Sequence, residues 1–392
     1  MSTAPAAPAR PENPIGLLAL LFTGFVLIGI PTVIVGPILP LFISRWSLND
    51  SQAGLFFAVQ FGASLCGTWI TTALTAWFGY RPGLTIGYLL TGVGLALLNA
   101  PTHALALVAT ATFGMGYGVA IPPSNLSAAE AGGKRSSGLV SLLNFAWGIG
   151  AVVCSPLIML ALRHGFLPVL LYTLASCALV LSVSFLFVSF PHEHVHAAES
   201  GSSPAVIPGY AITAGVAVLF FVYVGIEAGV GGWAAEYVKR LAGHGSSLST
   251  IAPMFFYVGL TIGRGLASLV LLRVRESHVV LGALGLAVLG IAVIIAAASP
   301  ITAIAGFSIA GFGCASIYPI HISWFSKWYG AASRRLSGLF FSMASLGGAV
   351  MPWVVGLVST QVGSLRIGLL VPLAGCFVML AGLALLHRQR LV

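Results

Sequence analysis

The sequence is poor in charge. Of 392 residues only 8 are Asp or Glu and 17 are Lys or Arg, so charged side chains make up 6% of the chain. A soluble domain carries about 25%. So little charge cannot cover a water-facing body of this size, which excludes an ordinary soluble enzyme. Cysteine is sparse as well. The five present, Cys66, Cys154, Cys177, Cys314 and Cys376, are scattered through apolar runs with no CxxC pair. They read as small buried hydrophobes, not as a disulfide framework or a thiolate metal centre. Long polar segments are also missing, so no catalytic domain is expected between the apolar runs. The chain reads as a non-enzyme without cofactor.

What the sequence has is hydrophobic length: 58% of residues are apolar. A spanning helix needs about 20 apolar residues. Twelve such stretches run at 15–39, 52–78, 83–100, 103–127, 136–162, 166–189, 209–236, 249–272, 279–298, 301–325, 337–360 and 366–386. They are continuously apolar and do not alternate, which argues against a β-barrel. The expected fold class is an all-α membrane protein with twelve transmembrane helices, solvated by the lipid bilayer.

The net charge of +9 follows topology and not nucleic acid. With the N-terminus inside, Arg10, Arg81, Lys134, Arg135, Arg273, Arg275, Lys327, Arg334, Arg335, Arg388 and Arg390 fall on the cytoplasmic side. Arg45, Arg163, Lys239, Arg240 and Arg366 fall outside, and Arg264 lies within a span. Eleven against five obeys the positive-inside rule with both termini cytoplasmic. Residues 1–14 read as a Pro/Ala tail without a cleavable signal.

Residues 191–208 form the longest polar break and separate six helices (15–190) from six (209–392). His192, His194 and His196 in this linker are spaced two apart, but no further cluster completes a metal site. The two parts repeat each other. Gly114-Met-Gly-Tyr-Gly-Val-Ala-Ile-Pro122 matches Gly311-Phe-Gly-Cys-Ala-Ser-Ile-Tyr-Pro319 at an offset of 197, and Lys134-Arg135-Ser-Ser-Gly138 then meets Arg334-Arg335-Leu-Ser-Gly338. Two halves in the same membrane direction are the parallel repeat of the major facilitator architecture. Over nearly its whole length the chain resembles that superfamily. The loop signature expected after the second helix is altered here to Ala76-Trp77-Phe78-Gly79-Tyr80-Arg81-Pro82-Gly83, which leaves Arg81 as the remaining candidate for a gating role there.

Charges within lipid cost about 2.5–3.5 kcal/mol on insertion scales and mark function by default. Glu227 has no Lys or Arg within a helical turn, so proton uptake is the expected way to neutralise it. Gly225, Gly229, Gly231 and Gly232 around it allow a bend or break that would free carbonyls for a cavity. Arg264 shares a face with Tyr257 and Thr261 and reads equally as a gating or structural anchor and as a cavity residue. Neutral polar and aromatic side chains on other spans suggest a cavity wall: Gln60, Tyr117, Ser124, Asn125, Ser141, Asn144, Trp147, Tyr223, Trp233, Tyr318, His321, Trp324, Ser342 and Ser345. Amides, hydroxyls and indoles suit a neutral polyhydroxyl ligand, although Ser, Asn and Gln also hydrogen-bond between helices for structure alone. Glu130 reads as a loop ion pair with Lys134 and Arg135. Asp50, Arg45, Glu236, Lys239 and Arg240 read as solvated helix ends.

The segment Tyr223-Val-Gly-Ile-Glu-Ala-Gly-Val-Gly-Gly-Trp233 looks like the seventh helix of the fucose–glucose–hexose symporter branch, sodium-dependent glucose transporter-like members included. Asn125-Leu-Ser-Ala-Ala-Glu130 with Leu142-Leu-Asn-Phe-Ala-Trp-Gly-Ile-Gly150 is similar to bacterial glucose/mannose:proton symporters. The resemblance implies a sugar transporter, with Glu227 in the cavity as the proton site and Asn125, Asn144 and Trp147 near the sugar. Fucose permeases carry an aspartate in helix one where this chain has Gly29-Ile-Pro31-Thr32, so two-carboxylate coupling is not expected. The expected partners are a sugar and H+ or Na+, with the chain acting as a monomer in a bacterial inner membrane. The alternatives are a drug:proton antiporter, an uncoupled uniporter and a non-transporting sensor.

Overall fold

The computed structural model describes residues 14–132, 136–190, 209–243, 248–329 and 333–388. Every element among them is helical, fifteen helices in all. The first half holds α1 (Pro14–Val33), α2 (Val35–Trp46), α3 (Asp50–Phe78), α4 (Tyr80–Leu97), α5 (His103–Gly132), α6 (Ser136–His164) and α7 (Leu167–Phe187). The second holds α8 (Tyr210–Ala242), α9 (Leu248–Val270), α10 (Glu276–Ala296), α11 (Pro300–Cys314), α12 (Ile317–Tyr329), α13 (Ser333–Val362), α14 (Leu365–Gly368) and α15 (Leu370–Arg388).

Three of the twelve expected spans are broken helices: α1–α2, α11–α12 and α14–α15. Each break falls three residues ahead of a proline, at Ile34 before Pro37, Ser316 before Pro319 and Leu369 before Pro372. Proline has no N–H for the carbonyl four residues back, and its ring crowds that carbonyl, so the helix loosens there. The glycines around Glu227 allow a bend or break in α8, and α8 runs unbroken through them. Those glycines instead let other groups approach: a Cβ on Gly225 would meet Met351 at 2.9 Å, and one on Gly232 would meet Phe57 at 2.7 Å.

Among the described residues, eleven spans are long and apolar enough to cross a membrane. The twelfth stretch corresponds to α4, whose 18 residues open on Tyr80-Arg81-Pro82 and are less apolar. Large side chains such as Trp77 and Phe187 lie exposed on the helical surface, as a chain solvated by lipid allows. Cys66 and Cys177 are exposed too, contrary to the burial expected for all five cysteines, and all five are unpaired. An even number of spans puts the start of α1, the start of α8 and the end of α15 on one face, hereafter the terminal face.

The packing repeats between halves. α5 lies on α3 and α4 as α11 lies on α9 and α10, and α1 packs on α6 as α8 packs on α13. The turns after α6 and α13 end on Gly165 (φ 72°) and Gly363 (φ 73°), where a positive φ favours glycine. Across the seam, α3 packs on α13, α6 on α9, and α2 on both α8 and α9.

Candidate functional site

The seam carries the two intramembrane charges. Glu227 sits 17 residues after Tyr210 and 15 before Ala242 on α8, so it lies at mid-depth, about 25 and 22 Å from the helix ends at 1.5 Å per residue. Tyr223, one turn earlier, donates to Glu227 Oε2 at 2.6 Å and also to the Cys314 carbonyl at 3.0 Å. That carbonyl adjoins the break between α11 and α12, so a helix break and a carboxylate share one phenol. Glu227 has no Lys or Arg within a turn of its own helix, and its cation comes from another helix. Arg264 of α9 supplies the charge, with Nη2 3.7 Å from Glu227 Oε2.

Arg264 also reaches the other half. Its guanidinium carbon lies 5.6 Å from the ring centroid of Trp147 on α6, a cation–π arrangement. The Tyr257 ring meets the same indole edge-on at 6.4 Å. Trp147 Nε1 donates to Thr32 Oγ1 at 3.3 Å, and Thr32 stands just before the α1–α2 break. Thr32 was not singled out by sequence reading, and its place two residues before the break was the available signal.

One turn before Trp147 on α6, Asn144 pairs with Asn125 of α5: Asn144 Nδ2 donates to Asn125 Oδ1 at 3.0 Å, and Asn125 Nδ2 to the Ile121 carbonyl at 3.0 Å. Asn144 and Ser141 are exposed. In the second half Tyr318 stacks on Tyr223 at 5.5 Å, and His321 lies against Tyr223, Phe220 and Trp324. His321 is 5% exposed and its Nδ1 has no hydrogen-bond partner. Ser345 is half-buried on α13, while nearby Ser342 accepts from Trp69 Nε1 across the seam at 2.8 Å.

Two expected ligands are placed otherwise. Gln60 is buried, and its amide nitrogen donates to the Thr32 and Pro31 carbonyls at 2.7 and 3.4 Å; it holds the end of α1. Trp233 is fully buried and donates to the Pro352 carbonyl at 2.9 Å, with Phe57 against its ring. It fills the seam between Glu227 and the face opposite the termini, so its polar atom is already taken.

That opposite face is sealed by charges expected to be solvated. Asp50 and Glu236 are 7% and 4% exposed. Arg240 of α8 holds both oxygens of Asp50 on α3 and donates to Glu236 at 2.9 Å, and Ser359 of α13 adds a hydroxyl to Asp50. Lys239 donates to the Pro40 carbonyl at 3.0 Å, and the Ser51 N–H to Thr360 Oγ1 at 2.8 Å. Gly36 brings α2 within 3.2 Å of the Gly232 carbonyl, measured from an added Cβ.

At the terminal face Glu130 accepts from Tyr80 at 2.5 Å, and Arg81 donates to the Val188 carbonyl at 3.1 Å. The Lys134 and Arg135 partners expected for Glu130, and His192, His194 and His196, lie outside the described residues. One repeat length after Glu130, Lys327 pairs with Glu276 at 2.8 Å, and Trp324 Nε1 donates to the same carboxylate at 2.7 Å.

Two repeated six-span halves in the same membrane direction, meeting at a seam, match the major facilitator fold. The comparisons agree. The glucose/mannose transporter GlcP of Bacillus subtilis is 24% identical over 349 residues, 85% of each chain. The crystal structure of a D-xylose–proton symporter superposes with a TM-score of 0.72 at 18% identity, covering 94% of this chain and 96% of that one. The fucose:proton symporter FucP of E. coli gives 0.66 at 17% identity, over 95% and 99%. No protein-family model matches the chain. The chain thus has the fold of, and resembles, the sugar transporters of the major facilitator superfamily.

Proposed function

We propose that the chain is a secondary active transporter of a sugar, working by alternating access, with H+ as coupling ion and Glu227 as the group that takes the proton. The observation that carries this reading is the Glu227–Arg264 pair at mid-depth, with Arg264 set over Trp147 of the other half. An ionised carboxylate there depends on its cation and on Tyr223. Protonation weakens its hold on Arg264, whose guanidinium lies over Trp147 of the other half. Proton occupancy therefore biases how the halves meet, which is what coupling requires.

The resemblance to GlcP and to the xylose and fucose symporters supports sugar as substrate. In this reading Asn125, Asn144, Trp147, Tyr257, His321 and Ser345 hold the sugar, with hydrogen bonds to its hydroxyls and an indole on its C–H face. The units 15–190 and 209–392 rock as bodies about the site, and the terminal face is cytoplasmic by its basic excess. The sealed side then faces outward, in a bacterial inner membrane, with the chain acting as a monomer.

The test is uptake of radiolabelled glucose into proteoliposomes under an inward proton gradient, then a sodium gradient. Uptake raised by external acid and reduced to equilibration in Glu227→Gln supports proton symport. A Glu227→Gln protein that still accumulates sugar against its gradient overturns the coupling role. Dependence on sodium alone replaces the ion, and equilibration indifferent to both gradients makes the protein a uniporter.

A further inference from the structure

Arg264 spends only part of its hydrogen-bonding capacity on the protein, on the Tyr223 hydroxyl and in the ion pair with Glu227. Its Nη2 is 3.7 Å from Glu227, beyond hydrogen-bond length. Its Nε is buried with no partner. The Glu227 oxygen it faces is already taken by Tyr223 at 2.6 Å. A guanidinium carries five N–H donors in a plane shaped for a carboxylate, and the Arg264 side chain is 26% exposed, so a ligand can reach it. Across the seam, one turn before Trp147 on α6, the exposed Asn144 uses its nitrogen on Asn125 and Val140, which leaves its own oxygen open to a hydroxyl.

Resting on the reading of this centre as a sugar site, we propose that its substrate is an anionic sugar, a hexuronate or aldonate whose carboxylate docks on Arg264 and whose hydroxyls face Asn125 and Asn144. One proton on Glu227 travels with each anion. A neutral hexose offers only hydroxyls and leaves Arg264 without a counter-charge once Glu227 is protonated. A carboxylate answers that charge. It cannot sit beside an ionised Glu227 without like-charge repulsion, so anion and proton enter together. The other titratable groups within electrostatic reach of Glu227 are Tyr223 on its own helix, Tyr257 on α9, Cys314 on α11 and Tyr318 on α12. His321 lies one ring further away, against Tyr223. From α13 and α15 the neighbours of the Gly225 and Gly229 turns of α8 are Met351, Val355 and Pro372, none of them titratable. The phenols and the thiol are uncharged at neutral pH, so the balance at the centre is set by Glu227, Arg264 and the substrate. The transported sum is then zero charge, whereas a neutral sugar with a proton would move one positive charge.

The experiment uses the purified full-length chain, monodisperse on size exclusion, in proteoliposomes with an inward proton gradient. Uptake of radiolabelled D-glucuronate and D-glucose is compared with and without an inside-negative potassium diffusion potential set by valinomycin. The expected result is glucuronate accumulation whose initial rate changes less than twofold with the potential, and a tenfold or greater loss in Arg264→Gln with partial recovery in Arg264→Lys. Glucose uptake unaffected by a hundredfold excess of glucuronate overturns the anionic substrate and leaves the sugar-transport reading standing. Uptake of neither sugar overturns both. Glucuronate uptake that rises severalfold with inside-negative potential overturns the one-proton stoichiometry. Because the wild-type chain carries the comparison, a variant that fails to fold does not blunt it.

Discussion

Arg240 of α8 grips both carboxylate oxygens of Asp50 on α3, joining the two halves of the chain at the face opposite the termini. Asp50 also takes a hydroxyl from Ser359, and Glu236 shares the same guanidinium. Asp50 is held by a cation from the other half, and that cation is set in place by Glu236 one turn earlier on its own helix; this makes a latch, because separating the halves on this face leaves Asp50 without its cation.

Replacing Asp50 by Asn therefore loosens the closed face without touching the centre. Loss of the charge-assisted bonds to a partly exposed arginine is expected to cost about 1–3 kcal/mol. The state open to the opposite face gains population accordingly. Labelling of a single cysteine introduced at Phe57, in a background without the five native cysteines, reads the shift from outside. Unchanged labelling would show that the latch does not set the equilibrium.

Glycines on the seam and glycines within a half predict different failures. A Cβ at Gly356 would lie 2.2 Å from the Asp50 carbonyl of the other half, whereas one at Gly150 would lie 2.0 Å from the Val26 carbonyl of the same half. Gly356→Ala should block closure of the opposite face, so the protein still folds and binds but does not transport. Gly150→Ala should destabilise every state, by about 1–3 kcal/mol as overpacking does, seen as a lower melting temperature. If both variants lose melting temperature equally, the seam contact is not specific to one state.

Trp147 separates ring from polar atom. Trp147→Phe keeps an aromatic face beneath Arg264 but removes the donor to Thr32, a bond at 3.3 Å worth about 0.5–1.5 kcal/mol. Apparent substrate affinity should fall by no more than about tenfold. Trp147→Ala removes the cation–π contact as well, about 0.5–2 kcal/mol more, together with the contact to Tyr257. Equal losses in the two variants would place the whole effect on the indole nitrogen.

Trp233 is expected to matter for stability and not for substrate choice. Trp233→Phe gives up the bond to the Pro352 carbonyl, and the cost is about 1–3 kcal/mol for the acceptor left behind, measured as thermal stability in detergent. The ratio of affinities for two substrates should stay the same. A change in that ratio would return Trp233 to the site.

Much of this protein was decided by its composition. Low charge, continuous apolar length and the repeat at an offset of 197 residues pointed to paired six-span halves in lipid, because a repeat after an even number of spans runs in the same membrane direction. The candidates Glu227, Arg264, Trp147, Asn125 and Asn144 were also legible, since a charge or amide in a spanning helix stands out against its background. Partnership was not. Arg264 lies 37 residues after Glu227, and Asp50 190 residues before Arg240; only the packing of α9 on α8, and of α3 beside it, brings them together. The same holds for Gln60 and Trp233, whose polar atoms are spent on carbonyls of distant helices. The glycines of α8 could have served a bend or a close approach, and neighbouring helices selected the second; a proline follows each break by three residues, yet Pro122, Pro156, Pro253 and Pro352 sit inside unbroken helices, so packing also decides where a helix yields. Local chemistry nominates residues through the cost of placing them in lipid. Tertiary structure decides which of those costs are met by the protein itself and which are left for a ligand or a proton.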